Sequence, residues 1–445
     1  MTLRVHPDEI VKESTSHLLA IHPTWERVRL SDVADVLNGF AFKSADFSNS
    51  EGVPLLRIRD VGRSQTEASY VGEFDLAYLV EAGSLVVGMD GDFRVARWTG
   101  PPALLNQRVC KISVRDDSLY DTGFLSYALP GYLDAINART SSVTVKHLSS
   151  RTVQEIPLPL PPLAEQRRIV AAIEEHSSRL DSAEDSLRRA RRKVELLRER
   201  AVEATLSGDW PWTTLGEIAE IVGGVTKDAK RERDPSFVEV PYLRVANVQR
   251  GFLDLSGVTT IRVPPEKAEA LALRSGDVLF NEGGDRDKLG RGWIWSGEID
   301  GCIHQNHVFR ARLIGSFEPK FVSWHGNTYG RRWFEEHGRQ TTNLASLNLT
   351  TLKSFPVPAP PLDEQRRIVA EIERQLSIAD AMAAEIDRAL KRSAALRRLI
   401  LEQAFSGKLV RQDPSDEPAS VLLERIAAER VAKQPTRRRR AAARA

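Results

Sequence analysis

A duplicated junction constrains this chain more than any other feature of its sequence. The segment PPLAEQRRIVAAIE begins at Pro161, and PPLDEQRRIVAEIE begins at Pro360. Aligning Pro157–Gly208 with Pro356–Gly407 needs no gap and gives 23 identities in 52 positions, far more than chance allows. The chain therefore contains an internal repeat, and its period of 199 residues is too long for a solenoid.

Each copy predicts an extended connector followed by one long helix. Alternating prolines, PLPLPP and PVPAPP, fix the backbone φ angle and remove N–H donors, so they favour extended chain up to a helix start. Behind them, residues recur at the three- and four-residue spacing of a coiled-coil seam. The first predicted seam is Ile169, Ile173, His176, Leu180, Ala183, Leu187, Ala190, Val194, Leu197, Ala201 and Ala204. The second is Ile368, Ile372, Gln375, Ala379, Met382, Ile386, Ala389, Ser393, Leu396, Ile400 and Gln403.

The two helices are predicted to pair with each other. A helix of about 40 residues is roughly 60 Å long, and its narrow apolar stripe is unstable in water unless it is buried. Small seam residues such as Ala190 and Ser393 allow close approach. Antiparallel pairing is favoured, with a globular domain at each end and a pseudo-two-fold axis; parallel pairing, with both domains at one end, is the alternative.

The repeat continues, more faintly, into the region before each helix. WERVRLSDVADVLNG at Trp25 pairs with WPWTTLGEIAEIVGG at Trp210, and NQRV at Asn106 answers QNHV at Gln305. Short Val, Ile, Leu and Phe runs broken by Gly, Pro, Asn and Asp predict strands, with short helices at LSDVADVL and TGFLSYALPGYLDAI. Each region is therefore predicted to be an α+β globular domain.

The predicted order is domain, helix, domain, helix and tail. The predicted bounds are an N-terminal segment at 1–24, a first domain at 25–160, a first helical spacer at 161–208, a second domain at 209–359, a second spacer at 360–407 and a tail at 408–445. The tail contains a predicted short helix at PASVLLERIAAERVA and ends in arginines.

Composition narrows the class of protein. Hydrophobic residues make up 41% of the chain, enough to bury a core in each domain. No apolar run approaches the roughly 18 residues of a membrane span, and the N-terminus has no apolar signal segment, so a cytoplasmic location is expected. Cys110 and Cys302 are too few and too scattered for a disulfide framework, and two packed thiols are expected. The formal net charge of +2 does not by itself indicate nucleic acid.

The sequence resembles the specificity subunit of type I restriction and modification systems over nearly its whole length. The resemblance rests on the duplicated PLPPLxEQxxIV junction, on two unlike domains alternating with two similar helices, and on the tail GKLVRQDPSDEPASVLLERI that begins at Gly407. The arginine-rich end departs from the family pattern.

This resemblance implies a non-enzymatic, DNA-binding subunit. Its two domains would be target-recognition domains, each reading one half of a gapped double-stranded DNA sequence, and its spacers would set the gap and dock two methyltransferase subunits. S-adenosylmethionine, ATP and magnesium would be bound by the methyltransferase and motor-nuclease partners, with no cofactor in this chain and no membrane partner. Whether a nuclease subunit accompanies the methyltransferase stays open.

Basic and amide side chains in predicted loops are the candidates for DNA contact, because guanidinium and amide groups can grip phosphates or read bases in the major groove. In the first domain these are Arg57, Arg59, Arg94, Arg97, Lys146 and His147. In the second domain they are Arg244, Asn247, Arg286, Lys288, Arg291, Gln340, Thr341 and Asn343. For any single one of them, a solvated surface role is the competing interpretation.

Catalytic and metal motifs are not predicted. DPSF at Asp234 lacks the second proline of an adenine methyltransferase motif, and the glycine-rich stretch from Asn281 lacks the Gly-Lys-Ser/Thr ending of a phosphate loop. The nine histidines show no metal spacing. A coiled-coil scaffold that binds proteins and not DNA is the alternative function.

Overall fold

The computed structural model describes residues 6–140, 146–228, 234–284, 288–340 and 345–433. These residues form two compact units. The first unit runs to Asp185 and resumes at Leu390, and the second unit is Ser186–Ala389. Each unit therefore holds one globular domain and part of both long helices.

Helices and strands are numbered along the chain. The helices are α1 Pro7–Glu13, α2 Leu30–Val33, α3 Thr122–Arg139, α4 Ser150–Gln154, α5 Leu163–Leu206, α6 Leu215–Ile218, α7 Pro265–Leu271, α8 Pro319–Asn327, α9 Tyr329–His337, α10 Leu349–Lys353, α11 Leu362–Phe405 and α12 Ala419–Lys433. The strands are β1 Glu26–Arg29, β2 Ala34–Asn38, β3 Phe47–Ser48, β4 Val53–Leu56, β5 Ser69–Tyr70, β6 Leu79–Val80, β7 Leu85–Gly88, β8 Val95–Arg97, β9 Ala103–Leu105, β10 Val109–Val114, β11 Pro157–Leu160, β12 Trp212–Thr214, β13 Ala219–Gly223, β14 Val238–Leu243, β15 Val248–Gln249, β16 Phe252–Leu253, β17 Thr259–Val263, β18 Val278–Asn281, β19 Gly283–Gly284, β20 Gly292–Ile294, β21 Ile303–His304, β22 Val308–Leu313, β23 Arg339–Gln340, β24 Ala345–Ser346 and β25 Pro356–Pro358. Within the described ranges, no helix is long and apolar enough to cross a membrane.

A four-stranded antiparallel sheet in the order β2-β10-β7-β8 organises the first unit. On the central strand β10, Cys110 lies opposite Asn38 on one side and Val87 on the other. A second sheet has the order β3-β5-β4-β9-β6, with β4 and β9 parallel. All four residues of β7 are buried, as expected for a strand that is covered on both faces.

The second unit repeats this sheet with the order β13-β22-β18-β20. On its central strand β22, Ala311 lies opposite Ile221 of β13 and Val278 of β18. The repeat seen in the sequence is therefore also a repeat of strand order. Cys110 and Cys302 are free and buried, as predicted, and burial raises the pKa of each thiol to about 12.

One predicted short helix is partly wrong. Residues LSDVADVL form helix α2 only as far as Val33, and the chain then becomes strand β2 from Ala34. The reason is tertiary, because β2 pairs with β10 along its whole length, and this pairing overrides the local helical pattern. The second predicted helix is confirmed as α3, and Asp121 caps it by accepting a hydrogen bond from the Phe124 N–H (2.8 Å).

The proline connectors of the repeat are themselves strands. β11 pairs antiparallel with β1, and β25 pairs in the same way with β12. Each pair forms a two-stranded sheet, so both strands are edge strands, where a proline removes no ladder hydrogen bond from a neighbour. The connector thus fastens the start of each long helix to the beginning of the domain before it.

A buried glutamine explains why the junction sequence is present in two copies. Gln166 Oε1 accepts from the Asp121 N–H (2.8 Å), and Gln166 Nε2 donates to the Pro161 carbonyl (2.9 Å). The second copy makes the same two bonds. Gln365 accepts from the Glu318 N–H (2.9 Å) and donates to the Pro360 carbonyl (2.8 Å). The repeated motif is therefore the element that holds each globular domain to its helix.

In the first unit the beginning of α5 lies beside the end of α11. Ile169 is buried in the same core as Phe405. Further along α5, Glu184 Oε1 accepts from Ser393 Oγ (2.7 Å), which lies earlier on α11. The two helical segments of this unit are therefore antiparallel.

The second unit shows the same direction of pairing. Arg191 Nε lies 3.7 Å from Asp387 Oδ1, and Arg198 Nη1 lies 2.9 Å from Asp380 Oδ1. Moving toward the end of α5 thus means moving toward the beginning of α11. The predicted fold class is confirmed, with two α+β domains and two long helices paired as an antiparallel coiled coil.

The predicted seam is wrong at several positions. Leu197 is 61% exposed, and Met382 and Leu396 are each 48% exposed. On α5, Ala183 is exposed while its neighbour Glu184 is half-buried. An α-helix has 3.6 residues per turn, so a strict seven-residue pattern drifts by about 20° per heptad, and over 44 residues the buried stripe moves to the next position.

The predicted tail helix is confirmed as α12, which packs on the first unit. Leu422 and Ile426 are buried in that unit's main core. Beside them, Arg168 and Asp416 form a 2.6 Å ion pair whose carboxylate is only 8% exposed. Burial raises the pKa of the neighbouring Glu165. The tail is thus a structural part of the first unit.

Candidate nucleic-acid interface

Arg57 and Arg59 lie in a short turn after β4. The Arg57 backbone N–H donates to Asp60 Oδ2 (2.9 Å), and the Arg57 side chain is only 21% exposed. Arg59 is more open, and its Nη1 lies 3.2 Å from Glu67 Oε2. Hydrogen bonds from Arg63 and Arg59 lower the pKa of Glu67, so this carboxylate stays ionised and offsets part of the positive charge here.

Arg94 and Arg97 lie at and just before strand β8. The Arg94 side chain is 72% exposed, and its Nη2 lies 3.8 Å from Asp92 Oδ2. Arg97 is exposed, with Nη2 3.4 Å from Ser126 Oγ. Ion pairs between exposed groups at such distances are weak, so both guanidinium groups are accessible to a phosphate.

Lys146 and His147 are adjacent residues of the first domain that bond to different partners. Lys146 Nζ donates to the backbone and side-chain oxygens of Asn137 (2.7 and 2.8 Å), so its charge fixes the segment. His147 Nδ1 lies 2.6 Å from Asp90 Oδ1. Arg108 approaches the same carboxylate, with its Nε 3.6 Å from Asp90 Oδ2. Arg108 was not among the predicted residues.

Arg244 and Asn247 occupy in the second domain the place of Arg57 and Asp60 in the first. The Arg244 backbone N–H donates to Asn247 Oδ1 (2.8 Å), and Asn247 Nδ2 donates to the Asp254 carbonyl (2.8 Å). The Asn247 side chain is 3% exposed. It was predicted as a candidate for DNA contact; in this structure both ends of its amide form hydrogen bonds within its own loop.

Three of the remaining candidates in the second domain lie within the described ranges: Lys288, Arg291 and Gln340. Arg291 Nη2 donates to the Val245 carbonyl (3.3 Å), and Lys288 is half-buried. Gln340 ends strand β23, which pairs with β24. The other three predicted residues lie outside the described ranges: Arg286, Thr341 and Asn343.

Two equivalent turns, one in each domain, were not predicted as contact sites, although their sequences align in the repeat. NQRV at Asn106 and QNHV at Gln305 form the same two-residue turn between a short strand and the central strand of each four-stranded sheet. Gln107, Arg108 and His307 are exposed there. The alignment of these two tetrapeptides was the available clue.

Two histidines of the second unit are structural. His304 Nδ1 lies 2.6 Å from the Val308 carbonyl, and His325 Nε2 lies 3.0 Å from the Pro356 carbonyl. Burial lowers the pKa of both to about 4, which keeps them neutral near pH 7. In the part of the chain that the structure describes, no group of three or more His, Cys, Asp or Glu is placed to hold a metal ion.

The structure thus contains two copies of one α+β domain, each with basic and amide side chains on loops beside its main sheet. The type I restriction modification DNA specificity domain matches residues 23–188 and again residues 207–391. The chain belongs to this family.

Two curated relatives are similar along nearly their whole length. The type I restriction enzyme EcoBI specificity subunit of Escherichia coli is 34% identical over 467 residues, covering 95% of this chain and 96% of that protein. The EcoKI specificity subunit of Escherichia coli strain K12 is 22% identical, covering 92% and 96%.

Solved structures share the fold. A chain from a study of complex assembly and conformational transition of the type I R-M system has a TM-score of 0.63 at 20% identity, covering 87% of this chain and 99% of that one. The HsdS subunit from Thermoanaerobacter tengcongensis has a TM-score of 0.55 at 19% identity, covering 87% and 98%. At these identities the likeness concerns the fold alone.

Proposed function

We propose that this chain is the non-catalytic, sequence-reading subunit of a type I restriction-modification complex in the cytoplasm, and that each globular domain reads one half of a bipartite, gapped DNA sequence. One observation carries the proposal. The two domains share a sheet order and a helix junction, yet their loops carry different side chains. Two readers of one design with unlike surfaces suit a target with two unlike halves. The proposed reading domains are residues 25–160 and 209–359.

Exposure divides the predicted residues into two roles within this proposal. The exposed basic groups of the first domain would contact DNA: Arg59, Arg94, Arg97 and His147. The same role is proposed in the second domain for Arg286, Lys288, Gln340, Thr341 and Asn343. Those bonded inside their own domain would position the loops: Arg57, Lys146, Arg244, Asn247 and Arg291.

The helical spacers, residues 161–208 and 360–407, would set the gap and dock two methyltransferase subunits. Apolar side chains that the coiled coil leaves exposed support this part of the proposal. On α11 these are Ile378, Met382, Leu396 and Leu399, and on α5 they are Leu196 and Leu197. Exposed apolar stripes of this kind suit a partner helix. S-adenosylmethionine would be carried by the methyltransferase subunits, and ATP and magnesium by motor-nuclease subunits.

Selection from a random duplex library by the full chain, co-expressed with its methyltransferase partner, tests the proposal. The expected result is one enriched sequence of two short blocks separated by a gap, bound with an affinity that falls steeply as salt rises. A protein scaffold, the competing function, would enrich nothing. Affinity for duplex that is independent of both sequence and salt would contradict the proposal.

A further inference from the structure

One turn of the first domain is held by long-range backbone hydrogen bonds. It joins β9 to β10 and is closed by the Val109 N–H, which donates to the Asn106 carbonyl (3.2 Å). The Asn106 N–H donates to the Leu56 carbonyl (3.1 Å), and the Gln107 N–H donates to the Phe40 carbonyl (2.8 Å). The backbone of this turn is therefore fixed by two distant segments of the chain.

Two further neighbours complete the support. The Met89 N–H donates to the Arg108 carbonyl (2.8 Å). Gly39 packs so closely that an added Cβ would overlap the carbonyl of Asn106. Three segments, at Gly39–Phe40, Leu56 and Met89, thus converge on a two-residue turn, far more support than a solvent-facing connection needs.

The second domain builds the same turn. The Val308 N–H donates to the Gln305 carbonyl (2.9 Å), and the Gln305 N–H donates to the Leu243 carbonyl (2.8 Å). The Asn306 N–H donates to the Val225 carbonyl (3.0 Å). These bonds match those of the first turn one for one, so its hydrogen-bonding pattern was retained while its residues changed.

The remaining supports of the second turn are matched too. The Glu282 N–H donates to the His307 carbonyl (2.9 Å), as Met89 does to Arg108. An added Cβ at Gly224 would overlap the carbonyl of His304. In each domain, therefore, two polar side chains extend from a turn whose backbone is fixed.

The side chains on these two turns are of the kinds that read bases. The first turn exposes Gln107 and Arg108, and the second carries Asn306, which is half-buried, and His307, which is exposed. Amides pair bidentately with adenine, and guanidinium groups do so with guanine. A merely structural turn would favour glycine, asparagine or aspartate at these positions, and of the four residues only Asn306 is one of these.

A carboxylate orients the outermost basic group in each turn. Asp90 Oδ2 lies 3.6 Å from the Nε of Arg108, and Nη1 of the same guanidinium lies 3.4 Å from Nδ1 of His147, so Asp90 and His147 together orient this group. Glu282 Oε2 lies 2.6 Å from Nδ1 of His307, and the opposite ring nitrogen, Nε2, lies 3.2 Å from Nδ2 of Asn306, so the ring and the amide are held side by side on the turn. Asp90 lies two residues after the end of β7, and Glu282 lies one residue after the end of β18. The two carboxylates thus come from positions that differ by one residue, and each contacts the turn of its own domain.

Backbone strain at Arg108 points to a role beyond folding. Its φ of 70° lies in the left-handed region, which favours glycine and which a long side chain rarely adopts. Such strain typically persists where the side chain has a function.

We propose that Arg108 and His307 read bases at matched positions of the two half-sequences, from turns whose backbones are fixed, and that Asp90 and Glu282 are their positioning residues. The inference rests on the proposed function and adds to it the residues that determine specificity. Because the two turns have the same hydrogen bonds, it also assigns one base-reading residue to each domain.

The test compares variants of the full chain on the duplex that the unaltered chain selects and on duplexes with one base changed at each position. Arg108→Gly suits the strained turn, so it should fold at least as well as the parent. It is expected to lose about 10- to 100-fold of the preference at one position of one half, with the other half unchanged. His307→Ala should do the same in the other half only. Arg151→Ala and Arg331→Ala, exposed arginines of the same units, are the controls.

The positioning role has its own readout. Asp90→Asn should weaken discrimination at the position affected by Arg108→Gly, and the double variant should be no worse than Arg108→Gly alone. A uniform loss of affinity on every duplex, with a shallower salt dependence, would mean phosphate contact and would overturn the inference. Unchanged preferences in the variants would overturn it as well. If the unaltered chain selects no bipartite sequence, the proposed function itself fails.

Discussion

Replacing Gln166 by alanine is expected to destabilise the first unit, although this residue is remote from the proposed base contacts. Its amide is fully buried and makes two hydrogen bonds to backbone, from the Asp121 N–H (2.8 Å) and to the Pro161 carbonyl (2.9 Å). Alanine removes both and leaves the buried Pro161 carbonyl and the half-buried Asp121 N–H unpaired. A lost hydrogen bond costs about 0.5–1.5 kcal/mol, and an unpaired buried group about 1–3 kcal/mol. Because these losses overlap, the expected change in the free energy of unfolding is about 2–4 kcal/mol.

Hydrogen exchange of the full chain, followed by mass spectrometry, resolves which unit is affected. In Gln166→Ala, the amides of α3 should exchange about 30- to 1,000-fold faster wherever they exchange through unfolding of the unit, because 1.4 kcal/mol corresponds to a factor of about 10. Gln365→Ala should act in the same way on α8 of the second unit. Gln375→Ala is the control, since that amide bonds Glu371 on its own helix. Unchanged protection of α3, or an equal loss in both units, would refute the role assigned to the junction glutamine.

Three further predictions follow from local geometry. Gly39→Ala should destabilise the first unit by about 1–3 kcal/mol, since the new Cβ would overlap backbone; Gly257→Ala, where nothing lies within 4 Å, should be neutral in the same denaturant titration. Acid should destabilise the second unit through His304 and His325, because burial lowers the folded-state pKa of each to about 4 while the unfolded chain takes up protons near pH 6.5. Stability is therefore complete above pH 6.5 and falls as the pH drops toward 4, by about 2 kcal/mol for each histidine at pH 5, which unfolding curves at pH 7 and pH 5 would measure. Met382→Asp should weaken co-purification with the methyltransferase subunit about tenfold or more, as expected for a charge placed in an apolar contact, with the helix content of the chain unchanged by circular dichroism.

Local signals predicted the framework of this fold. The proline run before each helix, the three- and four-residue spacing behind it and the tail segment at 419–433 all have short-range causes, and the helices and the extended connectors follow from them. The duplication also predicted two similar domains. In the structure, residues related by the repeat have matching hydrogen-bond partners, as Gln166 and Gln365 do.

Features that depend on long-range pairing were not accessible in this way. The segment after Val33 is helical by pattern and becomes strand because β10 lies beside it. Asn247 has the chemistry of a base reader, but its loop folds around its amide. Conversely, the turn at Arg108 is short and unremarkable as sequence, and its rigidity comes from Phe40 and Leu56, many residues away.

Exchange of residues 25–160 for the corresponding domain of another family member, followed by sequencing of the methylated sites in cells that carry the complete complex, tests the central claim most directly. If each domain reads its own half, one block of the methylated sequence changes, and the other block and the gap between them stay the same. Methylated sites in which both blocks change together, or in which neither changes, would contradict the account.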